Sequence, residues 1–456
     1  MTRVEITPRE GAGMRDVRGD VVRRQLQADH GCSVERVRSI CGYLIQGETA
    51  SETIASRVDD LFADPIIEHG AANTLFLSTE LFDQTPDMVV TVGFKPGVTD
   101  NPGKAATDGY LTLFPEDRDA RISTYTTYAF YGTSDLDPTW LAGTLHNNLI
   151  ERALVADRTA CQGGHWPALD YPTPPEQVFI QPKSIDLECD DQTLESISTD
   201  GLLALNLEEM HAIQAHYRDE EVRTLRTAHG ISPNAPTDVE LECLAQTWSE
   251  HCKHKIFASR IHHVDHETGE DTVIDSLFKT HIMTPTHDMQ KDVDWLLSVF
   301  HDNSGVIAWD DTWSVCMKAE THNSPSALDP YGGAMTGIVG VNRDILGTGL
   351  GARPIANTDV FCFGPPNWEG TLPDNLFHPS RVLRGVHAGV RVGGNESGIP
   401  TVNGAIVFDD RYIGKPLVYC GTVGIMPRNL PDGRPSHIKT PVAGDIVYMV
   451  GGRVGY

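Results

Sequence analysis

The sequence predicts an α/β protein of several domains, in which a duplicated two-layer α/β sandwich precedes a short helical linker domain and a further α/β domain. Three observations predict this architecture: an internal repeat within the first 160 residues, helical periodicity between residues 206 and 255, and alternating strand and helix patterns after residue 300. A chain of 456 residues is also too long for one ordinary core, so we expect two to four domains.

Composition argues against several classes of protein. The chain is 40% hydrophobic and 22% charged, which is typical of a soluble globular protein, and no stretch approaches the roughly 18 apolar residues of a membrane helix. Its nine cysteines include no C-x-x-C pair, which favours a reducing compartment, so we expect a cytoplasmic protein. The net charge of −27 argues against nucleic-acid binding. A phosphorylated substrate would approach only where local Arg, Lys or Mg²⁺ reverses the field.

The first stretch of the chain contains an internal repeat. Three pairs of segments match in character and in order, at a nearly constant offset: 4–11 with 91–97, 42–47 with 127–132, and 61–68 with 145–151. Each copy has the pattern strand, helix, strand, helix, which favours a two-layer sandwich over the alternative of two unrelated α/β units. We therefore predict that residues 1–160 form two similar halves related by approximate two-fold symmetry.

A boundary follows the repeat. Prolines between residues 161 and 200, including those at 174 and 175, interrupt regular structure before an acidic run. Asn206 can then cap a helix that extends through Tyr217, with apolar residues on one side. These features predict a linker that leads into a small helical domain.

A second helix begins with a start signal in which Thr237 and Glu240 can form a capping box. Its apolar positions recur at helical spacing and form one buried stripe: Leu241, Leu244, Ala245 and Trp248. This phasing predicts that Glu250 and His251 lie at the C-terminal end of the same helix, where the helix dipole favours an imidazolium.

Three short segments concentrate polar and charged groups: 247–257 (T-W-S-E-H-C-K-H-K-I-F), 318–326 (K-A-E-T-H-N-S-P-S) and 340–344 (G-V-N-R-D). Such mixtures are costly to bury unless ligands or partners satisfy them, so they predict a site for an anionic, metal-bound substrate. Zinc is an alternative for the first segment, with His262, His263 and His266 as further ligands. The absence of paired cysteines and the neighbouring lysines argue against it.

The second segment carries the strongest chemical signal. It begins on a strand predicted over 314–320, so Lys318 and Glu320 face the same side. Glu320 is a hard oxygen ligand suited to Mg²⁺, and Lys318 can neutralise a nucleotide phosphate. His322 can act as a general acid or base near neutral pH, and Asn323 can orient a substrate as donor and acceptor.

The third segment lies within a glycine-rich stretch, residues 332–351, whose small residues permit close approach to a ligand or a neighbouring element. Arg343 offers a bidentate fork for a phosphate, and Asp344 a second carboxylate for a metal. We predict that Glu320 and Asp344 lie close enough to share one Mg²⁺. A surface salt bridge between Arg343 and its neighbour is the alternative.

Together these segments resemble the formylglycinamidine ribonucleotide synthetases of purine biosynthesis. The resemblance covers about residues 200–456 and rests on five motifs in the same order and spacing: Trp248-Ser249-Glu250-His251-Cys252, Lys318-x-Glu320-Thr321-His322-Asn323-x-Pro325-Ser326, Gly337-x-x-Gly340-x-x-Arg343-Asp344, Gly351-Ala352-Arg353-Pro354-Ile355 and Gly398-Ile399-Pro400-Thr401-Val402. The duplicated first part is similar to two fused copies of the small accessory subunit that bridges synthetase and glutaminase in split forms.

The resemblance implies an ATP-dependent amidoligase with an aminoimidazole-ribonucleotide-synthetase-like ATP-binding fold. In that family, phosphoryl transfer from ATP activates the amide oxygen of formylglycinamide ribonucleotide, and ammonia then displaces phosphate to give the amidine. The ammonia comes from glutamine through a glutaminase with a cysteine nucleophile. The implied partners are therefore that glutaminase, as a subunit or domain, and the remaining synthetase half.

The resemblance also implies roles for single residues. His251 and His322 would be the active-site histidines, with His322 the proton acceptor, and Lys318 and His254 would contact ATP. Glu320 and Asp344 would bind Mg²⁺, and the ribonucleotide would be held by Thr321, His322, Asn323, Ser324 and Arg343. The sequence departs from the family at Ser324, His254 and Glu396, where a histidine, a tyrosine and a basic residue are common.

The implied domains are two accessory-subunit-like repeats at 1–83 and 84–165, a linker with its helical domain at 166–255, the synthetase N-terminal α/β subdomain at 256–440 and the start of the next subdomain at 441–456. Within them we expect several short strands over 387–426 and an opening strand over 446–450. Two alternatives stay open: another ATP-dependent member of the aminoimidazole ribonucleotide synthetase superfamily, and an inactive nucleotide-binding fragment. We also expect residues 1–456 alone to be inactive.

Overall fold

The computed structural model describes residues 1–11, 14–133, 136–173, 181–373 and 375–451. The chain divides into two compact units: Met1–Glu176 with Val315–Tyr456 form the first, and Gln177–Ser314 form the second. The prolines at 174 and 175 and the last residues of the predicted final segment, 452–456, lie outside the described residues. None of the helices within the described ranges is long and apolar enough to cross a membrane.

The repeat folds as two copies of one motif. The elements of the first copy are β1 (Thr2–Pro8), α1 (Val17–His30), β2 (Arg36–Gln46), α2 (Ser51–Ala55), α3 (Val58–Leu61) and β3 (Glu68–Ala72). Those of the second are β4 (Met88–Phe94), α4 (Asn101–Leu113), β5 (Arg121–Tyr131), α5 (Pro138–Leu145) and β6 (Glu151–Ala156), and α6 (Arg158–Gln162) follows. Each copy thus ends with a third, short strand that the predicted pattern omits.

The six strands form one antiparallel sheet in the order β3-β1-β2-β5-β4-β6. This order is unchanged when the two copies are exchanged, because β2 and β5 meet at the centre and the third strands lie at the edges. The predicted duplication, with its approximate two-fold symmetry, is therefore confirmed. One apolar cluster joins α2, α3 and α4 to the sheet, and another joins α1 and α5 to it.

A matched pair of aspartates marks the duplication more sharply than the apolar segments do. Asp16 caps α1 by accepting from the amide of Gly19, and Asp100 caps α4 by accepting from the amide of Gly103. Both carboxylates also bond the following strand, through Ser39 in the first copy and Thr124 in the second. The signal was present in the sequence as Asp-x-x-Gly at 16–19 and at 100–103.

The second unit begins with helices. They are α7 (Asp191–Asp200), α8 (Leu207–Arg218), α9 (Glu220–Ala228), α10 (Asp238–Thr247), α11 (Glu250–Lys253) and α12 (Lys255–Ala258). After them come β7 (Arg260–Val264), β8 (Asp271–Asp275), α13 (Thr284–Asp292), β9 (Leu296–Ser298) and β10 (Gly305–Ala308). Both predicted helix starts are confirmed, because Asn206 caps α8 and Thr237 forms a capping box with Glu240 at α10.

The predicted position of His251 is wrong. The helix with the buried stripe, α10, ends at Thr247, and Ser249 then caps a separate short helix by accepting from the amide of Cys252. Glu250 and His251 are therefore the first residues of α11 and do not lie at the C-terminal end of α10. The cap at Ser249, four residues after the buried Ala245, therefore starts a new helix instead of extending α10.

The remainder of the first unit consists of a second sheet with helices packed on it. Its elements are β11 (Trp313–Thr321), α14 (Asn323–Leu328), α15 (Pro330–Gly347), β12 (Arg353–Phe363), α16 (Pro379–Ser397), β13 (Thr401–Phe408) and β14 (Leu417–Pro427). The strand order here is β13-β12-β14-β11, with β12 parallel to β13 and antiparallel to β14. Side chains of α15 and α16 pack on this sheet in one apolar cluster.

The expectation of several short strands over 387–426 is wrong in its first part, because residues 379–397 form α16. Three glycines spaced like one face of a helix explain the misleading pattern. A methyl group on Gly385, Gly389 or Gly393 would lie within 2.7 Å of atoms of Pro330, Tyr331 or Ile338. The glycines thus allow α16 to lie directly against α15.

The predicted strand over 446–450 does not form. These five apolar residues have no regular secondary structure and are 75% to 95% exposed. A strand needs a neighbour to pair its backbone, and none of the described strands pairs with this segment.

Candidate active site

The two residues predicted on one face of β11 meet a third on α15. Lys318 Nζ lies 3.1 Å from Oε1 of Glu320 and 3.2 Å from Oδ2 of Asp344. All three side chains are partly exposed, so the cluster is open to solvent. Partial burial acts to lower the pKa of Lys318, but its hydrogen bonds to Glu320 and Asp344 outweigh this and raise it.

The cluster is suited to a divalent cation bound with a nucleotide phosphate. Glu320 and Asp344 direct two carboxylates at one ammonium, which shows that a positive charge is stable at this position. Mg²⁺ commonly takes one or two carboxylates together with substrate phosphates, so the donor set fits that ion. The described residues contain no cluster of three or more His, Cys, Asp or Glu arranged to hold a metal by themselves.

His322 occupies the turn between β11 and α14. It is half-buried, and its Nδ1 is enclosed without a hydrogen-bond partner in the part of the chain that the structure describes. Its backbone amide donates to the carbonyl of Val418 at 2.8 Å. The Oδ1 of Asn323 in turn accepts from the amide of Val418 at 2.8 Å, so one of the two amide atoms proposed to orient a substrate is already engaged.

The other residues that the motifs single out lie at the surface of the first unit. Thr321, Ser324 and Arg343 are exposed. Arg343 has no ion pair among the described residues, so its guanidinium is available to an anionic ligand. The neighbouring Asn342 points the other way and is buried.

Sequence reasoning missed the role of Asn342. Its Oδ1 accepts from Nδ2 of Asn357 at 2.9 Å and from Oγ1 of Thr422 at 2.8 Å, and all three residues are buried. This polar group ties α15 to β12 and β14 and so fixes the helix that carries Asp344. The only signal in the sequence was the place of Asn342 beside Arg343 in the third segment.

His251 and His254 belong to the second unit. Both rings are exposed, and neither has a hydrogen bond or ion pair among the residues that the structure describes. His254 adopts a left-handed backbone conformation (φ 54°) between α11 and α12, which is uncommon for a residue with a side chain. The zinc alternative gains no support, because the ring of His262 pairs with Asp271 and the described residues form no metal-binding cluster.

Two parts of the chain match models of known protein families. Residues 194–255 match the family model described as formylglycinamide ribonucleotide amidotransferase linker domain. Residues 301–426 match the model described as AIR synthase related protein, N-terminal domain. These parts of the chain are therefore similar to a linker domain and to a synthetase-like N-terminal domain, in the predicted order. The matches lie within the predicted ranges 166–255 and 256–440 without testing their limits.

The particular relatives are phosphoribosylformylglycinamidine synthases. The chain is 34% identical to subunit PurL of Thermoplasma acidophilum over 268 residues, which is 59% of this chain and 30% of the relative. It is 37% identical to subunit PurL of Corynebacterium jeikeium over 209 residues, 46% of this chain and 22% of that one. The chain is thus a homologue of these proteins, and it spans less than a third of their length.

Two solved structures of PurL from T. maritima match part of the chain. T. maritima PurL complexed with ADP is 29% identical in sequence and has a TM-score of 0.29. The match covers 45% of this chain and 26% of that chain. T. maritima PurL complexed with FGAR is 28% identical, with a TM-score of 0.28 over the same shares.

Proposed function

We propose that this chain contributes to an ATP-dependent amidoligase of de novo purine biosynthesis. The reaction joins ammonia to formylglycinamide ribonucleotide and gives formylglycinamidine ribonucleotide, ADP and phosphate. The observation that carries the proposal is the convergence of Glu320 and Asp344 on Lys318. The match of residues 194–255 to a formylglycinamide ribonucleotide amidotransferase linker favours this activity over other members of the synthetase superfamily.

The charged cluster would serve the phosphoryl-transfer step. The γ-phosphoryl group moves from ATP to the amide oxygen of the substrate, and Lys318 would neutralise charge on the nucleotide phosphates. Glu320 and Asp344 would hold Mg²⁺, which when bound supplies charge neutralisation and orientation for the phosphates. His254 is proposed as a further contact to ATP on the ground of the family motif alone.

The histidines would serve the second step. Ammonia attacks the activated carbon, a nitrogen–carbon bond forms, the carbon–oxygen bond to the phosphoryl group breaks and phosphate leaves. His322 would accept the proton that the attacking nitrogen gives up, with the enclosed Nδ1 or the opposite ring nitrogen as acceptor. Thr321, Asn323, Ser324 and Arg343 would hold the ribonucleotide, and His251 is the second proposed active-site histidine.

Partners and location follow from the same proposal. Ammonia would come from a glutaminase subunit or domain, and the remaining synthetase half would complete the enzyme. We place the reaction in the cytoplasm, where purine precursors are made and where the nine free cysteines would stay reduced.

Binding of Mg²⁺–ATP tests the proposed site directly. Titration calorimetry with ATP and Mg²⁺ should show at least about tenfold weaker binding for Glu320→Gln and Asp344→Asn than for the unchanged chain, a loss of about 1.4 kcal/mol for each tenfold. Asp410→Asn, which removes an exposed carboxylate far from the cluster in sequence, should bind as the unchanged chain does. Equal binding by all variants would contradict the metal assignment.

A further inference from the structure

The turn that carries His322 is fixed to β14 by two hydrogen bonds that share one partner residue. The amide of His322 donates to the carbonyl of Val418 at 2.8 Å, and the amide of Val418 donates to Oδ1 of Asn323 at 2.8 Å. The side chain of Asn323 thus takes the place of a backbone carbonyl in the strand ladder. This pair of bonds holds the end of β11 in register beside β14 as the chain turns into α14.

A second clamp comes from within α14. Ser326 is fully buried, and its hydroxyl donates to the carbonyl of His322 at 2.6 Å. The amide of Ser326 donates to the same carbonyl at 3.3 Å. Both polar atoms of the His322 peptide backbone are therefore bound to protein, one to Val418 and the other to Ser326.

Helix α15 packs against the turn that carries His322 and makes the third set of contacts. A methyl group on Gly337 would lie 3.0 Å from Cβ of His322, closer than side chains normally pack. A methyl group on Gly333 would lie 2.4 Å from the carbonyl carbon of Pro325 and 2.5 Å from the amide nitrogen of Ser326. Only helix positions without side chains allow α15 to support this turn so closely.

We propose that Asn323, Ser326 and Gly337 are positioning residues that fix the imidazole of His322 for proton transfer. The inference rests on the proposed function for its catalytic meaning, and on backbone geometry alone for the positioning. It adds to the role proposed above for Asn323: its Oδ1 acts through His322, and only its amide nitrogen would contact the ribonucleotide. A displacement of about 1 Å in a reacting group can lower the rate on the order of a hundredfold, so contacts that fix the position of His322 would affect the rate of the reaction.

The first test observes His322 without any assay of activity. The ring resonances of His322 in the labelled chain are assigned by their loss in His322→Gln. In Ser326→Ala they should shift or broaden, because the carbonyl of His322 loses its shortest bond. The matched control is Ser314→Ala: Ser314 is also fully buried, but its hydroxyl has no partner among the described residues. Unchanged His322 resonances in Ser326→Ala would overturn the proposal.

The second test separates positioning from binding in the assembled, active enzyme. Ser326→Ala should lower kcat by at least about tenfold while the KM values for ATP and ribonucleotide stay within about twofold. Gly337→Ala should act in the same direction and add a packing defect. A raised KM for the ribonucleotide with kcat intact would instead assign these residues to substrate binding. If the unchanged enzyme forms no amidine, the proposed function fails while the resonance test still decides the positioning.

Discussion

Lys318 Nζ lies 3.2 Å from Oδ2 of Asp344, although one residue belongs to strand β11 and the other to helix α15. The second carboxylate, that of Glu320, lies on the same strand as the lysine. The ammonium therefore occupies the position in which we place a divalent cation. Without nucleotide, Lys318 and the metal ion compete for the same two carboxylates. When a nucleotide binds, its phosphates can interact with both cations.

This competition yields the first prediction. Lys318→Met should raise the affinity for Mg²⁺ in the absence of nucleotide by about tenfold, because a unit charge at about 4 Å is worth about 1 kcal/mol in water and about 4 kcal/mol near a protein surface. The same variant should bind Mg²⁺–ATP more weakly, since the phosphates lose a cation. Both affinities can be measured by calorimetry. Loss of Mg²⁺ binding in Lys318→Met would show that the carboxylates do not hold the ion.

The fold could be predicted from the sequence where local rules and repeats sufficed. Capping residues at Asn206 and Thr237 marked helix starts, and the offset between copies marked the sandwich. Prediction failed where tertiary packing decides. The glycines of α16 resemble breaks between strands, but they exist because α15 lies against them, and no local pattern reveals that neighbour.

The same division holds for the candidate site. Strand alternation alone placed Lys318 and Glu320 on one side of β11. That Asp344 joins them depends on the packing of α15, which Asn342, Asn357 and Thr422 fix from beneath. Buried polar contacts of this kind link residues far apart in the chain. The motifs therefore indicated that Asp344 belongs to the site, but not which contacts hold α15 in place.

A second prediction concerns the contact between the sandwich and α16, both within the first unit. Arg384 forms an ion pair with Asp29 at the end of α1, and the side chain of Asp29 is only 7% exposed. Burial acts to raise the pKa of Asp29, but bonds to Arg384 and Ser380 outweigh it and lower the pKa. Arg384→Met should therefore destabilise this contact by about 1–2 kcal/mol, allowing for the partial exposure of the arginine.

Hydrogen exchange measures this directly. The protection factors of amides in α1 and α5 (intrinsic divided by observed exchange rate) should fall in Arg384→Met, and should fall in the unchanged chain as the pH is lowered. The sign follows from the lowered pKa: the contribution of Asp29 is present above its unfolded pKa and is lost as pH falls through its folded pKa. Arg411→Met, which breaks an exposed pair with Asp409, is the matched control and should leave exchange in these helices unchanged.

The third prediction concerns the helices of the second unit. Glu240 pairs with Arg226, whose side chain is 8% exposed, and this bond lowers the pKa of Glu240 to about 2. Glu240→Gln keeps a capping-box side chain but removes the charge, so it should lower the free energy of unfolding by about 1–2 kcal/mol near neutral pH, with one-third exposure of Glu240 taken into account. Urea denaturation followed through the amides of α8–α10 measures the loss.

The stabilising contribution of Glu240 should also depend on pH, in a direction that its lowered pKa determines. Because the folded pKa of Glu240 is depressed from 4.5 to about 2, its contribution is present above pH 4.5 and is lost as pH falls toward 2. The difference between the unchanged chain and Glu240→Gln should shrink over that interval. Glu242→Gln, two positions along the same helix and exposed, should show no such pH-dependent difference.

The last prediction is that residues 1–456 alone do not form formylglycinamidine ribonucleotide at a useful rate. The chain spans about 30% of the length of the Thermoplasma relative, and two apolar surfaces in the described residues lack cover: the side chains of β13, such as Val402 and Ile406, and the segment 446–450. Exposed apolar stretches of this kind mark surfaces that another element covers.

The assay supplies ATP, Mg²⁺, ammonium and formylglycinamide ribonucleotide, and measures ADP and amidine with and without a polypeptide that corresponds to the rest of the relatives. Turnover should require the added polypeptide, and Glu320→Gln should abolish it in the combined sample. Sustained turnover by the chain alone would show that one synthetase half suffices.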